Sequence, residues 1–171
     1  KVKIPDSVKF KRIVNILINK SNTVLFQSQK HLFIYDQNEV KIVSAKGENV
    51  FHEAFLLNDR FYVNIKNKGL YSLIGEELQL LNNGDFFAND DIVSIDYFNN
   101  KSIVITDHKV YQMDENSIEE IELKELNNIA LYRTIGIGSK YLSVGTFGQG
   151  VFLYDEHYQL KYVIDQKSGL L

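Results

Sequence analysis

The sequence of 171 residues contains no cysteine, no tryptophan and a single proline. Without cysteine the chain has no disulfide bond and no thiolate metal site. This absence does not identify a compartment, because many periplasmic domains also lack cysteine. With one proline, the turns must be built from glycine, asparagine and aspartate.

Long hydrophobic runs are also missing. No apolar stretch approaches the roughly 18 residues that a membrane-spanning helix needs, and no secretory signal is recognisable. The sequence begins with Lys1 and ends with Gly169-Leu170-Leu171, as expected for an excised or processed segment, so the missing signal says little about the compartment. The net charge of −3 provides no basic face for nucleic acid. We therefore expect neither nucleic-acid nor membrane contact by this segment.

The residues that are abundant favour strands. Apolar residues make up 44% and charged residues 24% of the chain, which is an ordinary globular balance. Ten tyrosines and eleven phenylalanines, together with many isoleucines and valines, favour strand over helix.

A pair of short strands recurs four times along the chain. The pairs start at positions 32, 70, 110 and 151, in steps of 38, 40 and 41 residues. Each begins with leucine or valine followed by an aromatic residue: Phe33, Tyr71, Tyr111 and Phe152. Two further strands precede each pair, joined by short turns such as Asn58-Asp59-Arg60. A four-stranded antiparallel meander of about 40 residues is typical of a β-propeller blade.

Regular short strands are also found in sandwiches and barrels, but the faces of these strands favour a propeller. In the first unit, Leu32 and Ile34 lie on one face of the third strand and Phe33 and Tyr35 on the other, so both faces are apolar. The fourth strands are more polar, as expected at an outer edge. We predict an all-β fold in which residues 1–171 form a single β-propeller segment of four four-stranded antiparallel blades. The blades lie at approximately 8–46, 50–84, 91–125 and 130–166.

The fourth unit carries the most specific motif, and it resembles the two-component-regulator propeller repeat. The motif consists of Tyr141-Leu142-Ser143-Val144-Gly145-Thr146, a glycine-rich hairpin, Val151-Phe152-Leu153-Tyr154-Asp155 and the closing Gly169-Leu170. Asn67-Lys68-Gly69-Leu70-Tyr71 matches the hairpin part of the motif. The family usually has tryptophan in the second strand, where Tyr141-Leu142 stands here.

The resemblance implies a sensor region of a bacterial membrane-bound two-component regulator. It implies a periplasmic location, as part of an inner-membrane protein, and a response to an oligosaccharide. The expected partners are that oligosaccharide, the remaining blades and signalling domains of the same chain, and a second copy in a homodimer of the full sensor. In this family the closing Gly169-Leu170 starts a further blade, so the resemblance implies that the four blades are part of a larger propeller. A complete four-bladed propeller is the less favoured alternative.

Motifs for cofactors or catalysis are incomplete. Gly145 and Gly150 have the spacing of a phosphate-binding loop, but Val151-Phe152 replaces the required lysine and serine or threonine. In His52-Glu53, the second histidine of a zinc-protease motif is replaced by Leu56. We therefore predict no cofactor, no metal and no catalytic residue in this segment.

Candidate ligand-binding residues lie in the loops at one end of the blades. Propellers usually bind ligands at the axial ends, where loops from several blades converge. Sugars are commonly held by aromatic faces together with amide and charged hydrogen-bonding groups. The candidates are Asn67, Lys68, Phe86, Phe87, His108, Phe147 and Gln149.

Three interpretations of function stay open. The first is a non-catalytic ligand-sensing propeller segment of a two-component regulator. The second is a propeller scaffold for protein–protein interaction. The third, ranked last because no unusual cluster of acids is present, is a carbohydrate-active propeller enzyme.

Overall fold

The computed structural model describes residues 4–168, which form sixteen β-strands. In chain order the strands are β1 (Asn15–Ile18), β2 (Val24–Gln27), β3 (His31–Asp36), β4 (Glu39–Ser44), β5 (Phe51–Leu57), β6 (Arg60–Ile65), β7 (Gly69–Ile74), β8 (Glu77–Leu80), β9 (Ile92–Phe98), β10 (Lys101–Thr106), β11 (Val110–Met113), β12 (Ile118–Glu120), β13 (Leu131–Ile137), β14 (Tyr141–Thr146), β15 (Val151–Tyr154) and β16 (Leu160–Ile164). Short 3-10 helices cover Gly84–Phe87, Lys124–Leu126 and Gln166–Ser168.

Each run of four consecutive strands forms its own antiparallel sheet, in sequential order. We call β1–β4, β5–β8, β9–β12 and β13–β16 the first, second, third and fourth blade. The all-β fold of four four-stranded meanders is confirmed, and these sheets are β-propeller blades.

The tight turns use asparagine and aspartate in the left-handed region. At the β5–β6 turn, Asn58 and Asp59 have φ of 48° and 66°, and Asn99 and Asn100 have φ of 50° and 60° at the β9–β10 turn. Two consecutive positive φ angles match the right-handed twist of the flanking strands, and these residue types tolerate them. The turns therefore form without proline.

In the second, third and fourth blades the fourth strand is the most exposed, as expected of an outer edge. In the third blade this strand covers only Ile118–Glu120, and a 3-10 helix follows at Lys124–Leu126. Leu126 is buried, so this helix anchors the connection to the core.

The chain divides into two compact units, one extending to Asp91 and the other starting at Ile92. The first unit holds the first two blades and the second unit the other two. The core of the first unit is formed by Leu25, Leu32, Ile34, Val43, Phe51, Ala54, Phe61, Val63 and Ile65. The core of the second unit is formed by Phe98, Ile103, Ile105, Val110, Leu123, Leu126, Ile129, Leu131, Leu142, Val144, Phe152 and Tyr154.

Within residues 4–168, no helix has the length and apolar character required to cross a bilayer. Gly169-Leu170, which the family resemblance relates to the start of a further blade, lies outside the described residues.

Candidate functional site

Two backbone hydrogen bonds join the loops at one end of the second unit. The Leu131 N–H donates to the Asp107 carbonyl at 2.8 Å, and the Phe147 N–H donates to the Ala130 carbonyl at 2.9 Å. The β10–β11 loop, the start of β13 and the β14–β15 hairpin are therefore neighbours. This arrangement brings the loops of three predicted residues, His108, Phe147 and Gln149, to the same end of the unit.

The β14–β15 hairpin is shaped by glycine and by Thr146. The Thr146 hydroxyl donates to the Gly150 carbonyl at 2.9 Å and accepts from the Gln149 N–H at 3.2 Å. Gly148 and Gly150 have φ of 87° and 86°. A Cβ at Gly150 would lie 2.1 Å from the Ile164 carbonyl oxygen, so a side chain there would clash with backbone. The hairpin therefore presents Phe147 and Gln149 to solvent on a well-defined backbone.

Phe147 is half of an exposed aromatic pair that the sequence analysis missed. Its ring centroid lies 5.0 Å from that of Tyr132, in an edge-to-face arrangement. Both side chains are more than half exposed. Tyr132 lies at a register shift between Leu131 and Arg133 in the β13–β14 pairing. No residue pattern in the sequence marks Tyr132, because its position beside Phe147 depends on this bulge.

Polar side chains complete this end of the second unit. His108 is exposed, and its Nε2 lies 3.4 Å from Asp107 Oδ2. Gln149 is also exposed, so its amide has both donors and its acceptor available to a ligand. Aromatic surface, an amide and an imidazole can together hold a polar molecule that has apolar faces. We call Tyr132, Phe147, His108 and Gln149 the second-unit rim.

The first unit repeats the same backbone pattern. The Phe51 N–H donates to the Gln29 carbonyl and the Lys66 N–H donates to the Val50 carbonyl, both at 3.0 Å. The turn that carries Asn67 and Lys68 follows directly, and both side chains are exposed.

The 3-10 helix Gly84–Phe87 packs beside this turn, because Gly69 and Gly84 bring their backbones into close contact. Phe86 is 51% exposed, whereas Phe87 is fully buried. A 3-10 helix turns by a third of a circle per residue, so adjacent phenylalanines point in different directions. The expectation that Phe87 faces a ligand is corrected: its side chain belongs to the core. Asn67, Lys68 and Phe86 remain surface candidates in this unit.

A cationic recess of about 670 Å³ lies at the same end of the first blade. It is lined by Lys9, Phe10, Lys11, Arg12, Ser28, Gln29 and Lys30. Lys30 is already engaged, since its Nζ donates to the Asn49 carbonyl at 2.7 Å and the Gly47 carbonyl at 3.2 Å. The basic run Lys9-Phe10-Lys11-Arg12 was the available sequence signal for this recess.

The tyrosine–aspartate pair at the end of β15 is structural. Lys161 Nζ lies 2.8 Å from Asp155 Oδ2, and together with the Gln159 and His157 N–H groups this ammonium lowers the pKa of Asp155 to about 2. Burial, followed by the nearby Glu125 carboxylate, raises the pKa of Tyr154 above its usual value. Asp155 therefore stays ionised and Tyr154 stays neutral near pH 7, and neither is poised to exchange a proton.

Within residues 4–168, no group of three or more histidine and acidic side chains is arranged to hold a metal ion. The predicted site residues fall in two sets, with Asn67, Lys68, Phe86 and Phe87 in the first unit and His108, Phe147 and Gln149 in the second. A single site that uses both sets stays a prediction.

The fold is similar to that of solved propeller structures, although no protein-family model matches the sequence. The search of curated proteins also found no match. YCF48 from Cyanidioschyzon merolae aligns with a TM-score of 0.68 and 11% identity over 86% of this chain and 52% of its own. The extracellular domain of a hybrid two-component system, BT4673 of B. thetaiotaomicron, aligns with a TM-score of 0.69 and 13% identity over 98% of this chain and 23% of its own.

Virginiamycin B lyase from Staphylococcus aureus, solved as an inactive variant with quinupristin, is a third neighbour. It aligns with a TM-score of 0.67 and 12% identity over 90% of this chain and 56% of its own. At these identities the likeness shows the fold, which serves as sensor domain and as enzyme among these neighbours. The chain spans about half the length of YCF48 and of the lyase.

Proposed function

We propose that this chain is a non-catalytic recognition segment of an extracytoplasmic sensor propeller and that its ligand is an oligosaccharide. The observation that carries the proposal is the exposed Tyr132–Phe147 pair, which lies beside Gln149 and His108 in the second-unit rim. The fold likeness to the BT4673 extracellular domain and the motif resemblance to two-component-regulator propellers support the sensor role. Both also support a periplasmic location.

The chemistry of this rim suits a neutral sugar. Aromatic rings offer apolar faces to the C–H side of a pyranose ring, and the amide and imidazole groups can hydrogen-bond its hydroxyls. Binding energy would be concentrated on a few such residues, because exposed aromatic anchors usually dominate recognition surfaces. In this proposal the remaining domains of a longer protein carry the signal, and the chain itself transforms no substrate.

A protein ligand is the second candidate, supported by a specific observation. YCF48, whose fold is similar, has been solved bound to a D1 peptide. The same exposed tyrosine and phenylalanine would suit a peptide, because both residue types are enriched at protein interfaces.

The proposal is tested by isothermal titration of the chain against a panel of neutral oligosaccharides. For the best ligand, Phe147→Ala and Gln149→Ala should each weaken binding by about tenfold or more, because each removes a rim contact. Tyr97→Ala is the matched control, since Tyr97 is an exposed aromatic residue on a strand of the same unit.

Three results would count against an oligosaccharide-binding rim. Equal losses in the control and the rim variants would show that the rim is not the site. Absence of binding across the panel, combined with capture of extended peptides, would favour the scaffold function. Cleavage of a panel oligosaccharide would show an enzyme instead.

A further inference from the structure

Equivalent residues of the repeat face the same way at the interface between the first and second blades and at the interface between the third and fourth blades. The residue that starts the repeated strand pair (position 32, 70, 110 or 151) faces the next blade: Leu32 packs in the core shared with the second blade, and Val110 in the core shared with the fourth. The aromatic residue that follows this start residue faces the preceding blade, as Tyr71 and Phe152 do. We call the face of a blade that carries Leu32 or Val110 its leading face, and the face that carries Tyr71 or Phe152 its trailing face. The leading face of one blade therefore packs on the trailing face of the next.

In both units, a side chain on the first strand of the leading face also forms hydrogen bonds with the backbone of the next blade. Asn15 Nδ2 in β1 donates to the Ala54 carbonyl of β5 at 2.9 Å. Ser94 Oγ in β9 accepts from the Thr134 N–H of β13 at 3.2 Å and donates to the Thr134 carbonyl at 3.4 Å. Asn15 and Ser94 occupy equivalent positions in the strand register, and at that position the fourth blade has Arg133.

The leading face of the fourth blade is uncovered. Ile135 is 50% exposed, Ile137 47%, Tyr162 59% and Ile164 39%. In the strand register these residues share one face with Arg133, Val151 and Leu153. Contiguous exposed apolar surface of this kind marks a site of interaction.

We propose that this open face is a docking surface for one further four-stranded propeller blade and that Arg133 binds the first strand of that blade. The incoming blade presents a trailing face with an aromatic residue at the position equivalent to Tyr71 and Phe152. Arginine has only donors, so its guanidinium takes backbone carbonyls on the edge of the incoming first strand, as Asn15 does with Ala54. Continuity with the two observed interfaces identifies the occupant as a blade.

A second copy of the chain is a poorer occupant. On the trailing face of its first blade Phe10 already covers Phe33, with ring centroids 4.9 Å apart, and only Ile16 and Ile18 on that face stay largely exposed. Phe33 is consequently only 3% exposed. A second copy could offer the Phe33 part of this face only after the segment around Phe10 had moved away.

The proposal is tested by extending the chain with a copy of residues 130–168, which supplies a blade with an aromatic residue equivalent to Phe152. Amide hydrogen exchange in β13 of the original fourth blade should slow by about tenfold or more, because a covered strand edge opens less often. Ile135→Asp or Arg133→Ala in the original blade should reverse the protection. Ile74→Asp, at an exposed isoleucine of the second blade, should leave it unchanged.

Unchanged exchange in β13 of the extended chain would overturn the proposal, whether or not the added blade folds. Protection that survives Arg133→Ala would remove Arg133 from the docking role. Sedimentation of the unextended chain tests the other occupant. Concentration-dependent association that Ile135→Asp abolishes would assign the face to a second copy and contradict docking by a further blade.

Discussion

At the scale of single residues, Gly69 is where one added methyl group should be most damaging. A Cβ there would lie 2.1 Å from the Gly84 carbonyl oxygen, and the φ of Gly69 is +101°. The clashing atom belongs to the backbone, so it cannot rotate aside as a side chain would. Gly69→Ala should therefore lower the free energy of unfolding by about 3 kcal/mol, measured by urea denaturation.

Gly75→Ala is the matched control for this change. Gly75 lies in the same blade with φ of +61°, and a Cβ there would meet no atom within 4 Å. Its substitution should cost only the strain of a left-handed backbone, about 1 kcal/mol. Equal losses for the two variants would show that the close approach of Gly69 and Gly84 does not constrain the blade.

At the scale of elements, Gln27 joins two sheets. Its side chain is fully buried at the end of β2 and reaches β5, where the strand bulges between Phe51 and Glu53. Gln27 Oε1 accepts from the Ala54 N–H at 2.8 Å, and Nε2 donates to the His52 carbonyl at 3.1 Å. The carboxamide therefore satisfies two backbone groups of β5, which is an edge strand of its sheet.

Substitution of Gln27 tests whether these hydrogen bonds between the two sheets stabilise the fold. Gln27→Ala leaves a buried N–H and a carbonyl without partners, which should cost about 2–3 kcal/mol in the free energy of unfolding. Gln79→Ala, on the exposed strand β8, should change it by less than about 0.5 kcal/mol. The comparison requires only chemical denaturation, and a Gln27→Ala variant as stable as Gln79→Ala would contradict the bridging role.

The strands could be predicted from the sequence because their pattern repeats. Third-strand units spaced about 40 residues apart, each with an aromatic residue at its second position, marked all four blades, and asparagine-rich turns marked the hairpins. The rim was predicted less well. The orientations of Phe86 and Phe87 depend on a single 3-10 turn, and the position of Tyr132 depends on a bulge. One residue of shift reverses a side chain in a strand and turns it by a third of a circle in a 3-10 helix, and no periodic signal in the sequence records either shift.

At the scale of the whole molecule, the repeat allows the burial of equivalent residues to be compared among the four blades. The residue that starts the repeated strand pair is buried in the first three blades, as Leu32, Leu70 and Val110 show. In the fourth blade Val151 occupies this position and is only partly buried. Val110 and Val151 therefore occupy equivalent positions in the second unit but differ in burial.

This contrast gives a paired prediction for Val110 and Val151. Val110→Ala removes two methyl groups from a site that is 3% exposed, and should cost about 2 kcal/mol in the free energy of unfolding, through lost burial and a residual cavity. Val151→Ala, on the open leading face, should cost under about 1 kcal/mol, because water already reaches that face. Each variant provides the other's control in urea unfolding. Equal costs would mean that Val151 is covered in solution, which would contradict an open fourth blade.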